Sequence, residues 1–268
     1  MSKIAKALER ARLEQPVAAT TPVRDLSSVS YKVVENEDKV ISVDYTSTKV
    51  CSTQDALLEK NRILTHIHNS VVQDHYSLLR TQLLQKTKGK GLNTIMITSV
   101  GQDEGKTVTA LNLAISMARE VGQTSLLVDL DLRSPDVGNY LGFDDRAGIA
   151  DYLVGDIDIQ ELFVNPGVQK IVVLPAGRAI SVTTELLGSP KMKRLVLELK
   201  HRYADRYVFF DCPSLINNPD SMVFSSYVDG IILVVEADKT PKALIKKAVS
   251  MLSQDKLLGI VFNKAMQE

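Results

Sequence analysis

The 268-residue chain is 44% hydrophobic, enough for one substantial α/β core, and its 32 Lys plus Arg balance 32 Asp plus Glu, so no net field favours nucleic acid, acidic lipid or an acidic substrate. Cys51 and Cys212 have no C-x-x-C spacing, which argues against a zinc site and, with no secretory leader, for a reducing, cytoplasmic setting. The longest apolar runs, such as residues 228–235, fall far short of the ~18 residues of a membrane span, so work at a membrane would need a partner.

Residues 2–14 place Ile4, Ala7, Leu8 and Ala11 at helical intervals between charges, predicting a short amphipathic helix, either a frayed terminus or a docking element. Residues 15–55 carry Pro16, Pro22 and much Thr, Ser and Val without a sustained period, predicting a linker with one or two short β segments. On this reading residues 1–60 are an N-terminal helix and linker, and residues 61–268 a folded domain. Residues 63–85 recover an apolar spacing of threes and fours, predicting one or two helices leading into the core. Apolar, β-branched runs then fall at 94–98, 125–129, 171–174, 207–210, 228–235 and 258–262, between helical patterns at 106–119, 190–202 and 241–252. Strands that are apolar throughout and separated by helices predict a doubly wound α/β fold: a mostly parallel sheet with helices on both faces and ligands at the strands' carboxyl ends.

Three of those strand ends carry chemistry. Residues 101–107, G-Q-D-E-G-K-T, end as a phosphate-binding loop ends, although Val100 stands where the usual pattern has its first glycine. The loop follows a predicted strand and opens a predicted helix, where inward N–H groups and the helix dipole favour anions. Gly101, Asp103, Glu104, Gly105, Lys106, Thr107 and Val108 are therefore the nucleotide-binding candidates, Lys106 spanning phosphates and Thr107 bringing a hydroxyl to magnesium. In L-L-V-D-L-D-L-R (126–133), Asp129 and Asp131 share one side of a fraying strand. Two carboxylates there suit magnesium and its waters, and one can accept a proton from an attacking hydroxyl. Asp211 ends the apolar run of Y-V-F-F-D-C-P-S, placed to hold a water on the same ion. The three ends together describe a site for ATP and Mg2+.

These motifs resemble those of the bacterial tyrosine kinases, P-loop enzymes of the MinD/ParA-like superfamily that control capsule and exopolysaccharide synthesis. "TSVGQDEGKT", "LLVDLDLR" and "FFDCPS" look like their Walker A, A′ and B motifs, and "DHYSLLRTQ", "LPAG", "ELLGSPKM" and "GIVFNKA" extend the likeness from about residue 72 to the C-terminus. The resemblance implies transfer of the γ-phosphate of MgATP to tyrosine. Lys106 and Thr107 would bind phosphate and magnesium, Asp129 would be the base, Asp131 and Asp211 would organise the metal, Arg133 would belong to the catalytic group, and Asn263 would meet the adenine. It also implies a membrane polysaccharide co-polymerase or activator as partner, holding a cytoplasmic protein at the inner face of the membrane.

The departures from the family pattern are specific. Gln102 and Asp103 replace Pro-Gly; Asp tolerates left-handed backbone, so the loop shape can survive, and Val100 is expected to turn into the sheet. The oligomerisation pattern E-x-x-R-x-x-R becomes Asp74, Ser77 and Arg80 on one helical stripe, which predicts a weakened or rebuilt contact between copies. The family's acceptor tyrosines cluster at the C-terminus, whereas the last tyrosine here is Tyr227, with Tyr31 and Tyr45 in the linker. Two other readings stay open: an ATP-binding regulatory subunit of a polysaccharide export machine that does not phosphorylate tyrosine, and a positioning ATPase. The latter class has a lysine five residues before the loop lysine, where this chain has Gly101.

Overall fold

The structure, a computed structural model, describes residues 48–51, 53–63, 71–143, 147–216 and 218–265, all within one unit spanning residues 38–268. The helix expected at 2–14, most of the linker, Tyr31 and Tyr45 lie outside the described residues.

Among the described residues eight strands form one sheet: β1 (Lys49–Val50), β2 (Thr94–Ser99), β3 (Thr124–Asp129), β4 (Val164–Asn165), β5 (Ile171–Leu174), β6 (Arg206–Asp211), β7 (Gly230–Glu236) and β8 (Leu257–Asn263). Their order is β1-β4-β5-β3-β6-β2-β7-β8. Pairing is parallel from β5 through β8; β4 runs antiparallel to β5 and parallel to β1, so the expected mostly parallel sheet is observed.

The alternation of side chains along each strand divides the core in two. Met96, Val128, Val208 and Phe210 pack with the helix Pro190–His201 on one face. Ile95, Ile97, Leu127 and Phe209 pack with the helix Lys106–Ala118 on the other. That second helix is buried from Thr109 through Ala118, all round, because the helix Val71–Thr87 covers its outer side. The residues between Ile63 and Val71 lie outside the described set, and the helix expected over 63–85 is seen as Val71–Thr87.

Wherever a strand order reverses, a crevice opens at the carboxyl edge of the sheet. Here β2 is neighboured by β6 and β7, with β3 beyond β6, so the ends of β2, β3 and β6 stand side by side. The register fixes the detail: Asp129 lies directly opposite Asp211, and Ile97 opposite Asp211 from the other side.

Candidate active site at the strand ends

The phosphate loop is shaped by backbone angles that few residues accept. Gly105 has φ +90°, and Asp103, in place of the family glycine, has φ +58°, as its tolerance for left-handed backbone predicted. Val100 is buried in the core below the loop, as expected. Glu104 turns inward and braces the loop: Oε2 accepts the Gly101 N–H at 2.9 Å and Oε1 accepts the Thr240 hydroxyl at 2.5 Å. Its carboxylate is thus occupied by protein, and the loop can offer a ligand only Glu104 backbone. Asn263 donates its amide to the Glu104 carbonyl at 2.9 Å, and Lys264 donates to the Asp103 carbonyl at 2.6 Å, so the end of β8 clamps the loop from outside.

Gly101, Gln102, Asp103, Lys106, Asp131 and Arg133 line one cleft of about 910 Å³, with Ser134, Pro213, Ser214 and Asn218. Lys106 Nζ stands 3.0 Å from Asp131 Oδ2, 4.0 Å from Asp211 Oδ1, and 3.3 Å from the Thr107 hydroxyl. Burial alone would push the Lys106 ammonium down, but the Asp211 and Asp131 carboxylates outweigh it and hold its pKa well above the ordinary lysine value. The cleft therefore presents a permanent cation where phosphate would lie.

The acids divide by position. Asp131, at the cleft wall, faces Lys106. Asp211 lies beneath, and its Oδ1 is buried with no hydrogen-bond partner among the described residues. Burial pushes its carboxyl up, against the opposing pull of Lys106. Such an orphaned oxygen is costly unless a ligand satisfies it. A hydrated Mg2+ would do so: with the Thr107 hydroxyl and Asp131 it makes a sparse oxygen set of the kind magnesium takes alongside phosphate and water. Among the described residues no group of three or more His, Cys, Asp and Glu is placed to hold a metal ion.

Asp129 is placed differently from its neighbour. It is fully buried, and its oxygens accept the N–H groups of Asp131 at 3.0 Å, Asp136 at 3.2 Å and Val137 at 3.1 Å, tying down the turn after β3. It does not line the large cleft but a separate cavity of about 230 Å³ with Pro135, Phe143 and Pro175. Burial and then the charge of Asp211 push its carboxyl well up. Arg133 reaches across the cleft, its Nε 3.2 Å from Asp220 Oδ2. Asp220, fully buried, drew no notice in the sequence: it stands in an unremarkable stretch 87 residues from Arg133.

Arg80, expected at an oligomer contact, makes contacts within its own chain. Its Nη1 donates to the Ser116 carbonyl at 2.8 Å and its Nε pairs with Glu120 at 3.1 Å, both at the C-terminal end of the helix Lys106–Ala118, where cations are favoured. Asp74, on the helix Val71–Thr87 with Arg80, is exposed. No described helix is long and apolar enough to cross a membrane.

Residues 92–241 match the protein family described as AAA domain. Among curated proteins, the tyrosine-protein kinase YwqD of Bacillus subtilis is 30% identical over 208 residues, covering 77% of this chain and 86% of that one. The succinoglycan biosynthesis transport protein ExoP of Rhizobium meliloti is 29% identical over 209 residues, covering 76% of this chain and 26% of that much longer one. Among solved structures the VpsO kinase domain superposes with a TM-score of 0.66 at 29% identity, covering 78% of this chain and 98% of that domain.

Proposed function

The chain belongs to the bacterial tyrosine-protein kinases, and we propose that its strand-end cleft transfers the γ-phosphoryl group of MgATP to a tyrosine hydroxyl in the service of exopolysaccharide synthesis and export. One observation carries the site assignment: Lys106, Asp131 and Asp211 converge at the mouth of the phosphate loop, with a buried Asp211 oxygen left for a ligand.

The chain's own groups divide the work. The loop N–H groups and Lys106 hold the phosphates, and Lys106 offsets the charge that spreads over the transferred group. Thr107, Asp131 and Asp211 would hold magnesium, directly or through its waters. When bound, that ion neutralises charge on the phosphate oxygens. The tyrosine oxygen forms a bond to the γ-phosphorus as the bond to the ADP oxygen breaks, and the phenolic proton passes to a carboxylate. Asp129 is the carboxylate that the resemblance assigns to that role; it is fully buried, and its oxygens accept three backbone N–H groups of the turn after β3.

The succinoglycan transport relative supports the wider reading, since in it a stretch like this chain is part of a longer transport protein. A membrane polysaccharide co-polymerase is accordingly the partner we assign. Rates of phosphotyrosine formation test the site: Asp131→Asn and Asp211→Asn should each lower the rate by roughly a hundredfold or more while the fold persists. Wild-type rates in either variant would remove these residues from the site.

A further inference from the structure

We propose that Asp220 is a positioning residue, which holds the Arg133 guanidinium over the cleft where the phosphoryl group is transferred. The inference rests on the phosphoryl-transfer reading of that cleft and names a component no motif contains.

Asp220 is fully buried, and a buried carboxylate persists only when its oxygens are satisfied. Its partners come from separate stretches of chain. The Thr183 hydroxyl donates to Oδ2 at 2.7 Å, the Thr184 hydroxyl donates to Oδ1 at 2.5 Å, and Arg133 Nε lies 3.2 Å from Oδ2. The Asn218 side chain accepts the Asp220 N–H at 3.0 Å, fixing the entry to the helix Asp220–Ser225. The acid is thus held rigidly before Arg133 is considered.

Arg133 is the contrasting partner. Its side chain is 44% exposed and lines the cleft beside Lys106 and Asp131. Among the described residues Nε is its one bonded nitrogen, which leaves both amino groups of a planar, five-donor fork for the cleft. The Thr183 and Thr184 hydroxyls bond both Asp220 oxygens as well, so Arg133 is not the only group that satisfies the buried acid. What the contact does is fix a long side chain at one orientation before substrate arrives, so that less rotational freedom is lost on the way to the transition state. The group its free fork fits is a phosphoryl oxygen, bidentate, at the position of the transferred group.

The test is a double-mutant cycle on the full chain with Asp220→Asn, Arg133→Lys and the pair, measuring kcat and KM for ATP. Each single change should lower kcat by about tenfold or more and leave KM within about threefold, because the loop and Lys106 still bind the nucleotide. The pair should be no slower than the worse single, since both remove one unit. Thr184→Val, which removes one anchor and keeps the acid, should reproduce the split more weakly and covers the case in which Asp220→Asn does not fold. Unchanged kcat in Asp220→Asn or Thr184→Val, a change confined to KM, or losses that multiply in the pair would each overturn the proposal. If wild type releases phosphate but forms no phosphotyrosine, the kinase assignment fails alone, and the same cycle read on phosphate release still decides the role of Asp220.

Discussion

Gly105 shows how much one position constrains the phosphate loop. Its φ of +90° is left-handed, and a Cβ there would collide with the Asn263 amide that clamps the Glu104 carbonyl. Gly105→Ala should therefore weaken ATP binding by at least tenfold in a direct titration while leaving the melting temperature within a few degrees. Retained affinity would show that the clamp and the left-handed turn are dispensable. At this scale the sequence was informative where chemistry sits beside a strand end: Lys106, Thr107, Asp131 and Asp211 are legible because the pattern of an apolar run followed by a charge needs no tertiary knowledge. Glu104 and Asn263 were legible as neighbours of the site but not as braces, because their partners, Thr240 and Glu104, lie 136 and 159 residues away. Asp220 was illegible for the same reason, with Thr183 and Arg133 at separations of 37 and 87.

Elements were legible when they were long and apolar. The central strands and the helices Lys106–Ala118, Pro190–His201 and Lys242–Met251 fall within a residue or two of the spans expected from the sequence. The short helices Asp55–Lys60, Val137–Leu141, Ile149–Val154, Thr183–Leu187 and Asp220–Ser225 were not, since one or two turns carry too little periodicity and are held by tertiary contacts. The two-residue strand β4 was missed likewise; its antiparallel pairing to β5 reflects a local reversal rather than a crossover.

One contact between elements makes a pH prediction. Asp229, just before β7, accepts the N–H groups of Asn93 and Thr94 at 3.1 Å each and the Thr94 hydroxyl at 2.7 Å, and it pairs with Lys200 of the helix Pro190–His201. Burial pushes its carboxyl up, but Lys200 and the Thr94 bonds outweigh that and hold its pKa below the ordinary aspartate value. A depressed folded pKa means that the carboxylate stabilises the fold above the unfolded-state value and that this stabilisation is lost as pH falls through the lower folded value. Asp229→Asn should cost about 1–3 kcal/mol in denaturant unfolding at pH 7, and its gap from wild type should narrow toward pH 3. A gap that stays constant with pH would mean that the charge plays no part.

For the whole molecule, balanced charge and central strands buried on both faces leave the chemistry-bearing residues gathered at one edge of the sheet. The ends of β2, β3 and β6 meet there because the topology makes them neighbours, and the apolar faces that fix their register also fix Asp129 opposite Asp211. Within the chain, Arg80 ties the helix Val71–Thr87 to the end of the helix Lys106–Ala118. The proposed function has this edge transfer phosphate to tyrosine. The most direct measurement is incubation of the purified full chain, with and without a membrane-partner fragment, in MgATP, read by phosphotyrosine detection and mass spectrometry for wild type and Lys106→Met. The account predicts phosphotyrosine in wild type and none in Lys106→Met, with the mass spectrum naming the acceptor; phosphate release without phosphotyrosine in wild type, under both conditions, would contradict it.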